Sequence, residues 1–278
     1  MTIVVTGATG KFGRHAIEAL LRNGVPATDI VAVGRNLDKI ADLGVPTRRA
    51  DYGDPESLRA AFEGADRLLF ISGSEAGQRI AQHRNVIDAA RAAGVDLVVY
   101  TSIVRADTSD LILAGEHQAT ERMLIESGLP YVFLRNSWYL ENYDIAAALD
   151  RGLVGAAANG RISAATRADL AEAAAAVVAG QGHERQVYEL GGEPFTLGEL
   201  AAAISRESGR DVTYTDLPEQ EYAEVLRGAG LPEQYAAILA DADRGAAKDQ
   251  LYAEGDDLAR LLGRPVTPLA TYIRSRLA

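Results

Sequence analysis

The sequence predicts an α/β fold, a doubly wound and mostly parallel sheet with a smaller, mainly helical lobe at its C-terminal end. Three observations predict it. Short β-branched runs alternate with longer helical patterns over the first half of the chain. Several of those runs, such as Ile3-Val4-Val5, Leu68-Leu69-Phe70-Ile71 and Leu97-Val98-Val99, are apolar on both faces, as strands covered by helices on both sides must be. A glycine-rich loop joins the first run directly to the first helical pattern.

Taken in order, strands are expected at residues 2–6, 30–33, 47–50, 67–71, 97–101 and 131–134. Between them, residues 11–23 carry Phe12, Ala16, Ile17, Leu20 and Leu21 on one helical stripe, with Gly24 placed to stop it. Residues 78–93 place Ile80, Ile87 and Ala90 on another stripe ending at Gly94, and His83 on that stripe is expected to be packed. A third helix over residues 120–127 is stopped by Gly128 and Pro130. After Trp138 the alternation breaks down. Residues 169–179 read as an alanine-rich helix and 186–190 as a further strand. Helices follow at 196–208, 219–228, 232–242 and 267–277, with an isolated short strand at 212–215. The expected division is a dinucleotide-binding unit over residues 1–135, with further sheet elements and a smaller substrate-side lobe over 136–278, packed as one.

Composition bounds the function. A chain of 278 residues, 47% hydrophobic and 24% charged, can bury a substantial core. Its net charge of −11 argues against nonspecific binding to nucleic acid. The absence of cysteine excludes thiol catalysis, disulfides and thiolate metal sites. No charged-then-apolar leader precedes Ile3, and no apolar stretch approaches a membrane span. The expectation is a soluble cytoplasmic protein, monomeric or homodimeric, with a small-molecule partner and neither membrane nor metal. His15, His83 and His183 have no partners at metal-ligand spacing.

The loop reads Gly7-Ala8-Thr9-Gly10-Lys11-Phe12-Gly13. Gly7 permits the turn, Gly10 lets backbone approach a pyrophosphate, and Gly13 lets the helix pack close to the strand. Free N–H groups at the helix N-terminus then meet the phosphates of a dinucleotide in a Rossmann-type arrangement. Lys11 adds a second positive charge there or lies in solvent. The second strand ends Val31-Ala32-Val33-Gly34-Arg35-Asn36, with no acid to hold the ribose hydroxyls of NAD. A guanidinium at Arg35 can fork onto a 2′-phosphate, which favours NADPH while leaving NADH possible. The alternative for Arg35 is an ordinary solvent-facing arginine.

Beyond the loop, Asn85-Val86-Ile87-Asp88-Ala89-Ala90-Arg91-Ala92-Ala93-Gly94-Val95 followed by Tyr100-Thr101-Ser102 resembles the NmrA-like group of atypical short-chain dehydrogenase/reductases. Longer strings resemble the bacterial NAD(P)H:quinone oxidoreductases of that group. They include Ala50-Asp51-Tyr52-Gly53-Asp54, Ile71-Ser72-Gly73-Ser74-Glu75-Ala76-Gly77-Gln78-Arg79, Leu134-Arg135-Asn136-Ser137-Trp138-Tyr139-Leu140-Glu141-Asn142-Tyr143 and Ser163-Ala164-Ala165-Thr166-Arg167-Ala168-Asp169. The resemblance covers nearly the whole chain, and triphenylmethane-dye reductases are near relatives in the same group. It implies pyrophosphate contacts from Gly7, Ala8, Thr9, Gly10, Lys11 and Phe12, and a contact of Arg35 with the adenosine phosphate. It also implies cofactor contacts at Ser72, Gly73 and Ser74 after the fourth strand. After the sixth it implies them at Asn136, Ser137, Trp138, Tyr139, Leu140 and Glu141. Read on composition alone, Ser72-Gly73-Ser74 is equally a plain strand-ending turn, and the alternative for Trp138-Tyr139 is a cover over the core.

Short-chain dehydrogenases typically move a proton through a Tyr-x-x-x-Lys pair with a serine upstream. Ser102 stands where that serine is expected, but the pair falls near His117-Gln118-Ala119-Thr120-Glu121 and is missing. Reversible alcohol oxidation, which needs a base, is therefore disfavoured. Hydride transfer to a quinone or related conjugated electrophile, without flavin, is expected instead, with solvent supplying the proton. His117 is a proton donor or, more simply, a surface histidine near a helix start. The alternatives are reduction of triphenylmethane dyes or imines, and a non-catalytic NADP(H) sensor. The former is distinguished by acceptor turnover, the latter by cofactor binding without turnover.

Overall fold

The computed structural model describes residues 1–73, 75 and 77–277. The chain runs β1 (Ile3–Val5), α1 (Lys11–Arg22), β2 (Ile30–Gly34), β3 (Thr47–Arg49), α2 (Pro55–Ala61), β4 (Arg67–Phe70), α3 (Arg79–Ala93), β5 (Leu97–Ile103) and α4 (Ile112–Ser127). It continues β6 (Tyr131–Asn136), α5 (Ile145–Arg151), β7 (Leu153–Gly155), α6 (Arg167–Ala179), β8 (Val187–Leu190) and α7 (Leu197–Ser208). The last elements are β9 (Tyr214–Asp216), α8 (Glu219–Gly228), α9 (Glu233–Ala246), α10 (Asp257–Leu262) and α11 (Leu269–Leu277).

Among the described residues seven strands form one sheet in the order β3-β2-β1-β4-β5-β6-β8. Every pair in it is parallel. The doubly wound α/β fold expected from the alternating pattern is therefore the fold observed. Strand order reverses between β1 and β4, which opens a crevice beyond their carboxyl ends, where ligands of such sheets sit. One face is covered by α1 and α6 around Ile17, Leu20, Leu170 and Val177, the other by α2, α3 and α4 around Leu58, Phe62, Tyr100 and Leu124. A third core, around Leu153, Phe195, Leu200, Ile204 and Ile273, holds the C-terminal lobe together and reaches Ile103 at the end of β5.

The tail is less separate than its composition implies. α6 is buried almost all round because it lies between α1, α10 and the sheet, and β8 adds the last sheet strand beside β6. The expected division at residue 135 falls one residue before the end of β6. The strand expected at 212–215 is shifted to β9 and is not isolated, since it pairs in parallel with β7. Val212 is instead buried in the lobe, its backbone bonded to Ser205.

Two helical expectations need correction, and α2, α5 and α10 were not expected. The helix expected at 120–127 starts at Ile112. Its buried face carries His117, Thr120 and Glu121, so apolar periodicity does not mark its first turns. Ile80, placed on the apolar stripe of α3, is 44% exposed, and the buried face runs through Arg79, Gln82, His83, Val86 and Ala90. α2 was missed although Asp54 caps it and Pro55 opens it, the side chain of Asp54 accepting from the N–H groups of Glu56 and Ser57. Among the described residues no helix is long and apolar enough to cross a membrane.

Candidate functional site

The glycine loop departs from β1 with Gly7 at a φ of 61°, a left-handed turn open to glycine. Gly13 lies against it so closely that a Cβ there would stand 2.5 Å from the Gly7 oxygen and 2.7 Å from the Ala8 Cα. Gly10, the residue preceding α1, offers no capping side chain, and the first turn of α1 carries no acid. Its leading N–H groups are left without side-chain partners, the arrangement that receives an anion.

The loop opens onto a cavity of about 610 Å³ at the β1–β4 crevice. Of the residues expected at the site, Gly7, Thr9, Gly10, Lys11, Phe12, Arg35, Ser72, Gly73 and Tyr139 line it together. Ala8 is fully buried beneath the loop, its N–H donating to the Val33 carbonyl. Ser74 lies outside the described residues.

The segment after β6 divides. Tyr139 reaches the cavity, while Leu140 and Trp138 pack into the lobe core. Ser137 donates its hydroxyl to the Leu251 carbonyl at 2.7 Å, which ties the sheet to the lobe. Both carboxylate oxygens of Glu141 accept from the Arg167 N–H at 3.0 and 3.1 Å, which holds the N-terminus of α6. Asn136 is 3% exposed, yet neither its amide nitrogen nor its oxygen has a hydrogen-bond partner, although the Tyr139 hydroxyl lies near. A buried, unpaired amide is costly, and Asn136 is not among the residues that line the cavity.

Sequence reasoning missed several lining residues: Asp51, Tyr52, Glu75, Arg79, Gln82 and Arg167. Arg79 and Gln82 sit three apart on the buried face of α3, and charged or polar side chains on that face were the available signal. Arg167 is the first residue of α6, a place where the helix dipole disfavours a cation unless an anion shares the site. Its guanidinium lies 4.8 Å from the Tyr139 ring centre and donates to Asn142. The Tyr52 hydroxyl pins the ends of β1 and β4, 2.6 Å from Thr6 Oγ1 and 2.7 Å from the Ile71 carbonyl oxygen. Arg35 spans the mouth of the cavity to Glu75 at 2.6 Å, and Gln82 holds the other oxygen of Glu75 at 2.8 Å.

Residues 7–181 match the NAD(P)H-binding family. The chain is 50% identical to Quinone oxidoreductase 2 of Escherichia coli strain K12 over 275 residues, 96% of each chain. The chain belongs to the NmrA-like NAD(P)H-binding family. It superposes on the NADPH complex of an Escherichia coli NADPH-dependent quinone oxidoreductase with a TM-score of 0.97, at 48% identity over 100% of both chains. The Citrobacter sp. triphenylmethane reductase complexed with NADP(H) gives a TM-score of 0.94 at 39% identity, covering 99% of this chain and 100% of that one.

Within this family member, the two residues weighed for proton transfer stand away from the cavity lining. Ser102 donates to Glu121 at 2.6 Å, and Glu121 in turn pairs with Arg135 at 2.7 Å. Those contacts make it part of a buried ionic network between β5, α4 and β6. The surface reading of His117 is overturned: the residue is 6% exposed and its Nδ1 lies 2.7 Å from the Tyr100 hydroxyl. Burial, with the nearby Arg79 charge, holds its imidazole well below the usual histidine range.

His83 lies between the sheet and the loop after β4. The Gly73 N–H can only donate, so Nε2, 3.0 Å away, is the acceptor. Thr120 donates its hydroxyl to the Glu116 carbonyl, so Nδ1, 2.8 Å from that hydroxyl oxygen, carries the proton. Burial and then the Arg79 charge push His83 down to about 3, in keeping with this neutral form.

Proposed function

We propose that the chain is a cytoplasmic NADPH-dependent oxidoreductase that passes hydride to a quinone or a related conjugated electrophile, without flavin. The observation that carries this reading is 50% identity with a quinone oxidoreductase over 96% of both chains. The cavity agrees with it at both ends. The uncapped start of α1 takes the pyrophosphate, and Arg35 takes the 2′-phosphate that distinguishes NADPH from NADH. Tyr139 and Arg167 form the wall on the nicotinamide side, with Asn136 buried beside Tyr139. Ser72 and Gly73, held by His83, border the middle of the cofactor.

Bound NADPH supplies the hydride. The protein's part is to orient the two reactants, exclude water from the contact and bind the anionic cofactor tightly enough to hold it there. No buried acid–base pair lines the described wall of the cavity, so the proton that completes the hydroquinone comes from solvent. That suits an electrophilic acceptor whose reduced anion is stabilised by conjugation.

The test is oxidation of NADPH by purified protein with several benzoquinones and naphthoquinones, run beside a cationic triphenylmethane dye. Quinone turnover that exceeds dye turnover is the expected result. Preference for the dye would move the assignment to that class of reductase, and tight NADPH binding without turnover of either would favour a sensor. For Arg35→Ala, NADPH affinity should fall about 10- to 100-fold while NADH affinity holds. Equal losses for both cofactors would remove the 2′-phosphate role.

A further inference from the structure

Among the described residues four cations line the cavity, and they are not alike. Lys11 and Arg35 are exposed and Arg167 is half-buried, but the Arg79 side chain is only 9% exposed. Arg79 is also held rigidly. Its Nε donates to the Gly73 carbonyl at 2.7 Å and one terminal nitrogen pairs with Glu116 at 3.1 Å. Among the described residues no acceptor closes on its other terminal nitrogen.

Its position along the cavity follows from topology. Arg35 stands at the end of β2, on one side of the crevice, and Arg79 bridges from the loop after β4 to α4, the helix that follows β5. Its charge acts on Tyr100 of β5, His117 of α4 and Tyr139 beyond β6. A dinucleotide anchored at β1 and β2 presents its nicotinamide towards β4 and β5. Arg79 therefore lies on the β4–β5 side of the crevice, between Gly73 at the middle of the cofactor and the end where hydride leaves.

We infer that Arg79 stabilises the negative charge that develops on the quinone oxygen, and so sets the preference for acceptors that become anions over acceptors that begin as cations. The inference rests on the quinone-reductase reading above. Two electrons and one proton pass as hydride from the dihydronicotinamide, whose C–H bond breaks. The hydride forms an O–H bond at one quinone oxygen, the displaced electron pair moves through the ring to rest on the other oxygen as a phenolate, and one proton from water completes the hydroquinone. A fixed, buried guanidinium within reach of that oxygen, even with its charge shared by Glu116, acts more strongly than one in water. A cationic dye, by contrast, becomes neutral on accepting hydride, so the same guanidinium opposes its binding and gains nothing in the transition state.

The test compares wild type, Arg79→Gln and Arg79→Lys with a naphthoquinone and a cationic triphenylmethane dye. For Arg79→Gln, quinone kcat/KM should fall about 100-fold, well beyond any loss of NADPH affinity read by fluorescence, and dye kcat/KM should fall by no more than that loss of affinity. Arg79→Lys, which keeps the charge, should recover much of the quinone rate. Equal losses for both acceptors, or a loss of NADPH affinity that accounts for the rate, would overturn the role. A second readout needs no turnover: 4-nitrophenol bound to the NADP⁺-loaded protein should ionise at lower pH in wild type than in Arg79→Gln. Equal ionisation in the two would also overturn it. If wild type reduces neither acceptor, the quinone reading itself fails, and the nitrophenol titration still decides the role of Arg79.

Discussion

Arg35 and Glu75 face each other at 2.6 Å, and in the function proposed above the 2′-phosphate of NADPH approaches the same guanidinium. The pair is exposed, so it contributes little to stability, but Glu75 competes with the phosphate for the same guanidinium. Glu75→Gln should therefore raise NADPH affinity several-fold at low salt, with less effect on NADH, as read by fluorescence titration. A lowered NADPH affinity would mean that Glu75 positions Arg35 and does not compete for it. The glycines divide in the same residue-by-residue way. A Cβ at Gly10 would meet only the Gly7 oxygen, at 3.3 Å, whereas one at Gly13 would collide with backbone at 2.5 Å. Gly10→Ala should keep the melting temperature within a few degrees and still lose NADPH affinity, because its side chain enters the cradle. Gly13→Ala should lose stability as well, by about 2 kcal/mol or more in denaturant unfolding.

At the scale of elements, α3 is the piece that composition described least well. Its apolar residues suggested a stripe through Ile80, while the buried face is largely polar and its polar groups hold the loop after β4. His83 is the hinge of that arrangement, bonding Gly73 on one side and Thr120 of α4 on the other. His83→Phe should leave the Gly73 N–H without an acceptor and weaken NADPH binding by about tenfold. His83→Gln, which still offers an acceptor oxygen, should lose less. Equal affinity in the two variants would show that the ring's packing, and not its acceptor nitrogen, holds the loop. The glycine loop, β1 and Arg35 were legible because strand, turn and helix are contiguous in the chain and carry local signals. Arg79, Gln82 and Arg167 were not, because each meets the cavity only after a helix from elsewhere in the chain has packed.

For the whole molecule, buried titratable groups act on stability in opposite directions. His83 is pushed down to about 3 from 6.5, so the unfolded chain binds a proton that the folded chain does not. This contribution is complete above pH 6.5 and is lost as pH falls towards 3, by about 1.4 kcal/mol per pH unit at most. His117 adds in the same direction. Asp243 in the lobe does the reverse. Burial pushes its carboxyl up to about 7 from 3.8, although the Ala156 N–H donates to it at 2.9 Å. The folded chain keeps this proton longer, so stability falls as pH rises from 3.8 to 7. Asp243→Asn preserves an acceptor for Ala156 and removes the ionisation. It should raise the melting temperature at pH 8, leave it nearly unchanged at pH 4, and steepen the gain in stability between those values. A lower melting temperature at pH 8 would mean that the buried charge is compensated in the native state.

By itself the sequence determined the parallel sheet, the glycine loop at its first turn, the arginine at the end of the second strand and the family, since each is written in contiguous residues whose local physics agree. Tertiary structure alone decided which residues share the cavity with that loop. It buried His117 behind the sheet and tied Ser102 into an ionic network. It left Asn136 unpaired and brought Arg79 from α3 to the same wall as Tyr139 from beyond β6. The physical reason is separation along the chain. Burial, desolvation and hydrogen-bond partnership depend on neighbours that only packing supplies, and no periodicity or motif records them in advance.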